Sequence, residues 1–150
     1  MNPLENISPA PDATSTSVMR FLVAEDNRII QEVAKAMLES LYRCEIDIVD
    51  NGREAVRAWS GSCYNLILMD CQMPVMDGYQ ATGIIREGEQ RAMAVAGRSP
   101  HTIIIAMTGD TTADARSECL EAGMDDYLAK PITLKQMKDI LDRWLPELGG

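Results

Sequence analysis

From Met19 onward the chain alternates short apolar runs with amphipathic stretches, and it does so five times without an internal sequence repeat. This alternation constrains the fold more than any other feature, because strands separated by helix-length segments pair in parallel while the helices cover the sheet. The first run, Arg20 to Ala24, leads into a segment with Ile30, Val33, Met37 and Leu41 at helical spacing. Of these, Val33 is assigned to the core, while Ile29 and Ile30 could face the core or a partner. The second run, Glu45 to Val49, precedes a short helix marked by Ala55, Val56 and Trp59. Tyr64 to Met69 is the most continuously apolar run, as expected of a central strand covered on both faces. A loop with Pro74 and Gly78 opens a third helix expected either to end near Arg86 or to run on irregularly into the stretch from Glu87 to Pro100 before a loop. Thr102 to Met107 and Asp125 to Ala129 complete the strands. Ala113 to Glu121 and Thr133 to Leu145 complete the helices, the last with Leu134, Met137, Leu141, Trp144 and Leu145 facing the sheet.

Residues 1 to 18 hold Pro3, Pro9 and Pro11 among Ser, Thr and Asn and follow neither period. They read as a flexible tail or the end of a linker, leaving 19–148 as one domain. At 150 residues the chain has no room for a second full domain. Fourteen Lys and Arg stand against 23 Asp and Glu, a net charge of -9 that disfavours a nucleic-acid partner held by phosphate neutralisation. No apolar run approaches the roughly 20 residues needed to cross a bilayer, and the N-terminus has no secretory pattern, so neither nucleic acid nor membrane contact is expected. Cys44, Cys63, Cys71 and Cys119 form no CxxC pair. They read as small hydrophobes in a reducing, cytoplasmic setting, not as metal ligands.

In an open parallel sheet, ligands bind beyond the carboxyl ends of the strands. The residues expected there are Glu25 and Asp26 after the first strand, Asp70 after the third, Thr108 after the fourth, and Lys130 with Pro131 after the fifth. Three carboxylates brought together repel by about 4 kcal/mol per pair at ~4 Å and an effective dielectric of about 20. Lys130 offsets part of this, and Mg²⁺, a hard cation that takes carboxylates and phosphate oxygens, offsets it better. A carboxylate kept ionised in such a place can also attack phosphorus. Asp70, central and alone at its strand end, is the best-placed nucleophile.

The runs LVAEDN (Leu22 to Asn27), LILMDCQMPVMDGYQAT (Leu66 to Thr82), MTGD (Met107 to Asp110) and AGMDDYLAKPI (Ala122 to Ile132), in that order, resemble the receiver domains of two-component response regulators. The resemblance implies a doubly wound, flavodoxin-like (βα)5 sheet with strand order 2-1-3-4-5. It implies a phosphoacceptor at Asp70 and a Mg²⁺ site made by Asp26, Asp70, Glu25 through water, and the backbone carbonyl of Gln72. It further implies that Lys130 and Thr108 contact the phosphoryl group and that Thr108 and Tyr127 act as a switch, altering the face formed by the fourth helix, fifth strand and fifth helix. The same face is where two copies could pair. The Lys130–Pro131 bond is expected to be cis. Asp110, where such domains often carry Asn, stands beside the route of attacking water and bears on the lifetime of the phosphoryl group.

The stretch DCQMPVMDGYQAT, the long segment before the fourth strand and the AGMDDYLAKPI run resemble receivers fused to hybrid sensor histidine kinases more than stand-alone chemotaxis-type regulators. The implied donor is a phosphohistidine on a histidine kinase, and the implied partner on the relay is a histidine phosphotransfer domain. Catalysis by the domain would be limited to its own phosphorylation and dephosphorylation. A stand-alone single-domain regulator is the main alternative, and a scaffold lacking phosphotransfer is another. A haloacid-dehalogenase-like phosphatase would need Asp at position 72, which is Gln, and a flavin or nucleotide module would need a glycine-rich turn where AEDNRII stands. Gly52, Gly78 and Gly123 are expected at turns or helix ends with positive φ, and the single histidine, His101, is expected to be structural or exposed.

Overall fold

The computed structural model describes residues 18–97 and 101–145. The expected tail, Val18 apart, therefore lies outside the described residues. Five strands, β1 (Met19–Ala24), β2 (Cys44–Val49), β3 (Leu66–Asp70), β4 (Ile103–Thr108) and β5 (Asp126–Ala129), alternate with five helices. The helices are α1 (Arg28–Leu41), α2 (Gly52–Gly61), α3 (Gly78–Ala96), α4 (Ala113–Ala122) and α5 (Leu134–Trp144). All strand pairs are parallel, in the order β2-β1-β3-β4-β5. The doubly wound α/β fold is the one expected.

Alternation along the strands builds two cores. Phe21, Val23, Leu66, Leu68, Ile105 and Met107 face α1 and α5, meeting Ala34, Leu38, Met137 and Leu141. Leu22, Ala24, Ile67, Met69, Ile104 and Ala106 face the other way, toward Ala55 of α2, Ala81 and Ile85 of α3 and Cys119 of α4. β3 is buried along its whole length, which explains its unbroken apolar sequence. Each fully buried Leu, Ile or Phe here contributes about 1.5–3 kcal/mol.

Every helix begins with a side-chain cap just past a strand's carboxyl end. Asn27, Asn51, Asp77, Thr112 and Thr133 each accept backbone N–H bonds from the first turn, and Gln80 and Gln136 complete capping boxes. Such caps are worth about 1 kcal/mol each, and they fix where each helix starts relative to the strand before it. Gly97 (φ 78) and Gly123 (φ 106) close α3 and α4 in the left-handed region.

Four expectations are corrected. α3 does not end near Arg86 but takes the longer of the two expected courses, as regular helix to Ala96. Gly88 lies inside it, where an added Cβ would come 2.7 Å from the Trp59 ring. Gly52 and Gly78 do not carry positive φ; among the described glycines only Gly97 and Gly123 do. Both instead permit close approach, since a Cβ would lie 2.4 Å from the Met76 carbonyl oxygen at Gly52 and 2.2 Å from the Asp70 carbonyl oxygen at Gly78. Val33 is exposed, not core, because Ala34 and Leu38 supply the buried face of α1. Leu134 is likewise exposed, and Ile140 packs in its stead.

Away from the strand carboxyl ends, Arg86 ties α3 to β4 and the α4–β5 loop. Its guanidinium donates to Gly123 O, Thr102 O, Glu89 and Asp125, each at 2.8 or 2.9 Å. His101 is half exposed, with Nε2 2.7 Å from Asp125 Oδ1.

Candidate functional site

Strand order reverses between β1 and β3, so the crevice at their carboxyl ends is open to solvent. There, a cavity of about 480 Å³ is lined by Glu25, Asp26, Asp70, Gln72, Thr108 and Lys130, together with Asn27, Ile30 and Asp110 among others. One carboxylate oxygen from each of Glu25, Asp26 and Asp70 lies within 4.8 Å of the others.

Burial differs sharply among the three. Glu25 is 1% exposed and Asp70 5%, whereas Asp26 faces solvent. Lys130 Nζ reaches between the two buried acids, 3.0 Å from Glu25 Oε1 and 3.2 Å from Asp70 Oδ1. The contact with Glu25 Oε1 is an ion pair off the hydrogen-bonding direction, and that buried oxygen has no hydrogen-bond donor. Glu25 Oε2 accepts from Asn27 N at 2.9 Å, and the Asp70 carboxylate accepts from Gln72 N at 3.2 Å. Burial, with the Asp70 charge adding to it, pushes the Glu25 carboxyl above its ordinary range against the pull of the Asn27 amide and Lys130. Burial would lower the Lys130 ammonium, but the ion pairs with Glu25 and Asp70 outweigh it and hold it above its ordinary value.

Two carboxylates and an ammonium leave a surplus of negative charge here once Asp26 is added, and an acceptor oxygen without a donor. This donor set is all oxygen and suits a hard divalent cation such as Mg²⁺, which binds through one or two carboxylates and keeps several waters. Gln72 lines the same cavity directly after the β3 carboxyl end.

Thr108 is buried at the end of β4, but its hydroxyl does not address Asp70. Oγ1 accepts from Asp110 N at 3.0 Å and contacts Asp110 O at 3.2 Å. Asp110 in turn accepts from Thr112 N at 3.0 Å, which holds its carboxyl below the ordinary value. Tyr127, on β5, lies outside the cavity and packs half-buried against the α4 side of the sheet. The Lys130–Pro131 bond is cis.

Two residues that order this site escaped the sequence reading. Asn27 caps α1 and simultaneously donates its N–H to Glu25. Gln31 Nε2 donates to Glu25 O at 2.6 Å, anchoring the strand end from one turn into α1. Asn directly before a helical period is a recognisable cap signal and could have found the first.

Residues 21–142 match the family model of the response regulator receiver domain. The chain belongs to that family. It is 37% identical to Histidine kinase 5 of Arabidopsis thaliana, over 89% of this chain and 16% of that protein. It is 36% identical to Hybrid signal transduction histidine kinase A of Dictyostelium discoideum, over 83% of this chain and 6% of that one. The receiver domain thus spans less than a fifth of these relatives. Among solved structures, the receiver domain of sensor histidine kinase PA1611 from Pseudomonas aeruginosa PAO1 is 40% identical, with a TM-score of 0.73 and coverage of 87% and 99% of the two chains. That structure holds a magnesium ion in its active site cleft. The receiver domain of Ssk1 from Saccharomyces cerevisiae, crystallised with the histidine phosphotransfer protein Ypd1, is 30% identical, with a TM-score of 0.78 and coverage of 85% and 88%. No helix among the described residues is long and apolar enough to cross a membrane.

Proposed function

We propose that this receiver domain, over residues 19–148, accepts a phosphoryl group on Asp70 from a phosphohistidine in a Mg²⁺-dependent reaction. The observation that carries the reading is the meeting of three carboxylates within 4.8 Å with Lys130 wedged between the buried two. Asp26 and Asp70, the Gln72 carbonyl and, through water, Glu25 would hold the cation. Bound there, Mg²⁺ would neutralise charge on the phosphoryl oxygens during transfer.

The residues of the chain do the rest. An Asp70 oxygen attacks phosphorus in line, the P–N bond to the donor imidazole breaks, and the electron pair stays on the imidazole nitrogen. Lys130 bridges the buried carboxylates in the resting state and then pairs with the phosphoryl group. Thr108 leaves its bond to Asp110 and donates to a phosphoryl oxygen. Its inward movement draws Tyr127 with it and alters the α4–β5–α5 face, where two copies would pair. Such a switch moves only as far as the phosphoryl group's differential affinity for the two forms allows.

The same reading assigns the parent protein as a hybrid sensor histidine kinase acting in the cytoplasm, supported by the similarity to histidine kinases of plant and amoebal origin. The partner is a histidine phosphotransfer domain seated on α1, where Ile29 (73% exposed) and Val33 (38%) present apolar surface beside the cavity. The test is Mg²⁺-dependent labelling by a small acyl phosphate. Wild type should form an acid-stable, hydroxylamine-labile adduct, and Asp70→Asn should not. Equal labelling of both proteins would move the nucleophile elsewhere, and labelling of neither would favour a scaffold.

A further inference from the structure

Tyr127 pairs with Ala106 across β4 and β5, and Thr108 follows Ala106 on the same face of the sheet. The path between the phenol ring and the hydroxyl is thus lined by a methyl group. In the structure both ends of that path are restrained. The Thr108 hydroxyl is tied to the Asp110 backbone at 3.0 and 3.2 Å. The Tyr127 ring lies against α4, where the Arg116 guanidinium carbon is 5.4 Å from its centroid. That distance falls within the range of cation–π attraction.

The surroundings leave the arginine as the restraint that can yield. The backbone of Tyr127 is fixed by Asp126, whose carboxylate accepts Tyr127 N at 2.8 Å and also Arg143 and Trp144 Nε1 of α5 at 2.7 and 2.8 Å. The ring borders two cavities of about 340 and 290 Å³, one toward α5 and one toward α4, so packing alone does not lock it. Arg116 is exposed, and its guanidinium meets the ring from the solvent side of α4 without burial to fix it there.

We infer that Arg116 is a positioning residue that holds the Tyr127 ring against α4 and thereby lowers the population of the phosphorylation-competent conformation. The inference rests on the reading of Thr108 and Tyr127 as a coupled switch given above. A partly exposed cation–π attraction that is present in the resting form and broken in the switched form biases the equilibrium about two- to fivefold toward rest. A phosphoryl mimic that selects the switched form must work against that bias.

The experiment is titration of the Mg²⁺-loaded protein with beryllofluoride, in wild type, Arg116→Ala, Arg116→Lys, Tyr127→Ala and the Arg116→Ala/Tyr127→Ala double variant. Tyrosine ring resonances in selectively labelled protein are followed by NMR. Arg116→Ala should bind beryllofluoride about two- to fivefold more tightly than wild type, Arg116→Lys should return toward wild type, and affinity for Mg²⁺ alone should be unchanged. In the Tyr127→Ala background, removing Arg116 should have no effect. Equal or weaker binding by Arg116→Ala overturns the proposal, as does the same gain without the tyrosine. A Tyr127 resonance that moves in wild type while Arg116→Ala binds normally confines the failure to Arg116. A resonance that does not move at all in wild type refutes the coupled switch as well.

Discussion

Replacing Asp26 with Asn should make the cation-free protein more stable and the Mg²⁺-loaded protein less so. The change is isosteric and falls on an exposed side chain, so packing is untouched. Its carboxylate oxygen lies within 4.8 Å of those of Glu25 and Asp70, a separation at which two charges repel by about 3.5 kcal/mol at an effective dielectric of about 20 and by about 0.9 kcal/mol in water. Because Asp26 faces solvent, screening puts the relief near the lower figure, about 1 kcal/mol. For a domain of this size that raises Tm by about 3 °C in chelator. With Mg²⁺ at about one hundred times its Kd, wild type gains about 2.7 kcal/mol by linkage. The variant, short of one ligand, gains far less, and the order of the two proteins reverses. Thermal unfolding followed by circular dichroism, with EDTA and then with MgCl₂, reads both arms. A variant that is less stable than wild type in EDTA, with an unchanged response to Mg²⁺, would refute the claim that these carboxylates are crowded together for a cation.

Gly78→Ala places a Cβ 2.2 Å from the Asp70 carbonyl oxygen, so the start of α3 must retreat from β3. We expect a loss of about 1–3 kcal/mol in urea unfolding together with slower acyl-phosphate labelling, and a variant unchanged in both would contradict that geometry. Arg86→Ala removes donors to two carbonyls and two carboxylates remote from the cavity. It should cost about 3 kcal/mol while the labelling rate of the folded protein stays at the wild-type value; altered labelling would mean the network reaches the site. Ile29→Glu with Val33→Glu should slow transfer from a histidine phosphotransfer protein at least about tenfold and leave labelling by the small donor intact. Parallel loss of both activities would argue against an α1 docking face.

The fold was legible because each strand ends where its apolar run meets polar residues, and because the uninterrupted run before Asp70 marks the central strand. The juxtaposition of Glu25, Asp26, Asp70 and Lys130 was legible for the same reason: parallel strands deliver their carboxyl ends to one edge. What escaped were contacts between elements. The close approach of Trp59 to Gly88 leaves no mark on the local pattern of α3, and Gly78 reads as a turn until the Asp70 carbonyl is found above it. Val33 fits the helical period of α1, but the sheet takes up the small Ala34 instead and leaves the valine outside. The bond between the Thr108 hydroxyl and the Asp110 backbone is a local loop conformation that periodicity does not encode.

The most direct measurement is chemical mapping of the adduct. After Mg²⁺-dependent reaction with an acyl phosphate, borohydride reduction converts an aspartyl phosphate to homoserine, and peptide mass spectrometry locates it. Homoserine is expected at position 70 alone, formed only when Mg²⁺ is present. Homoserine at Asp26 or elsewhere, or an intact Asp70 in labelled protein, would contradict it.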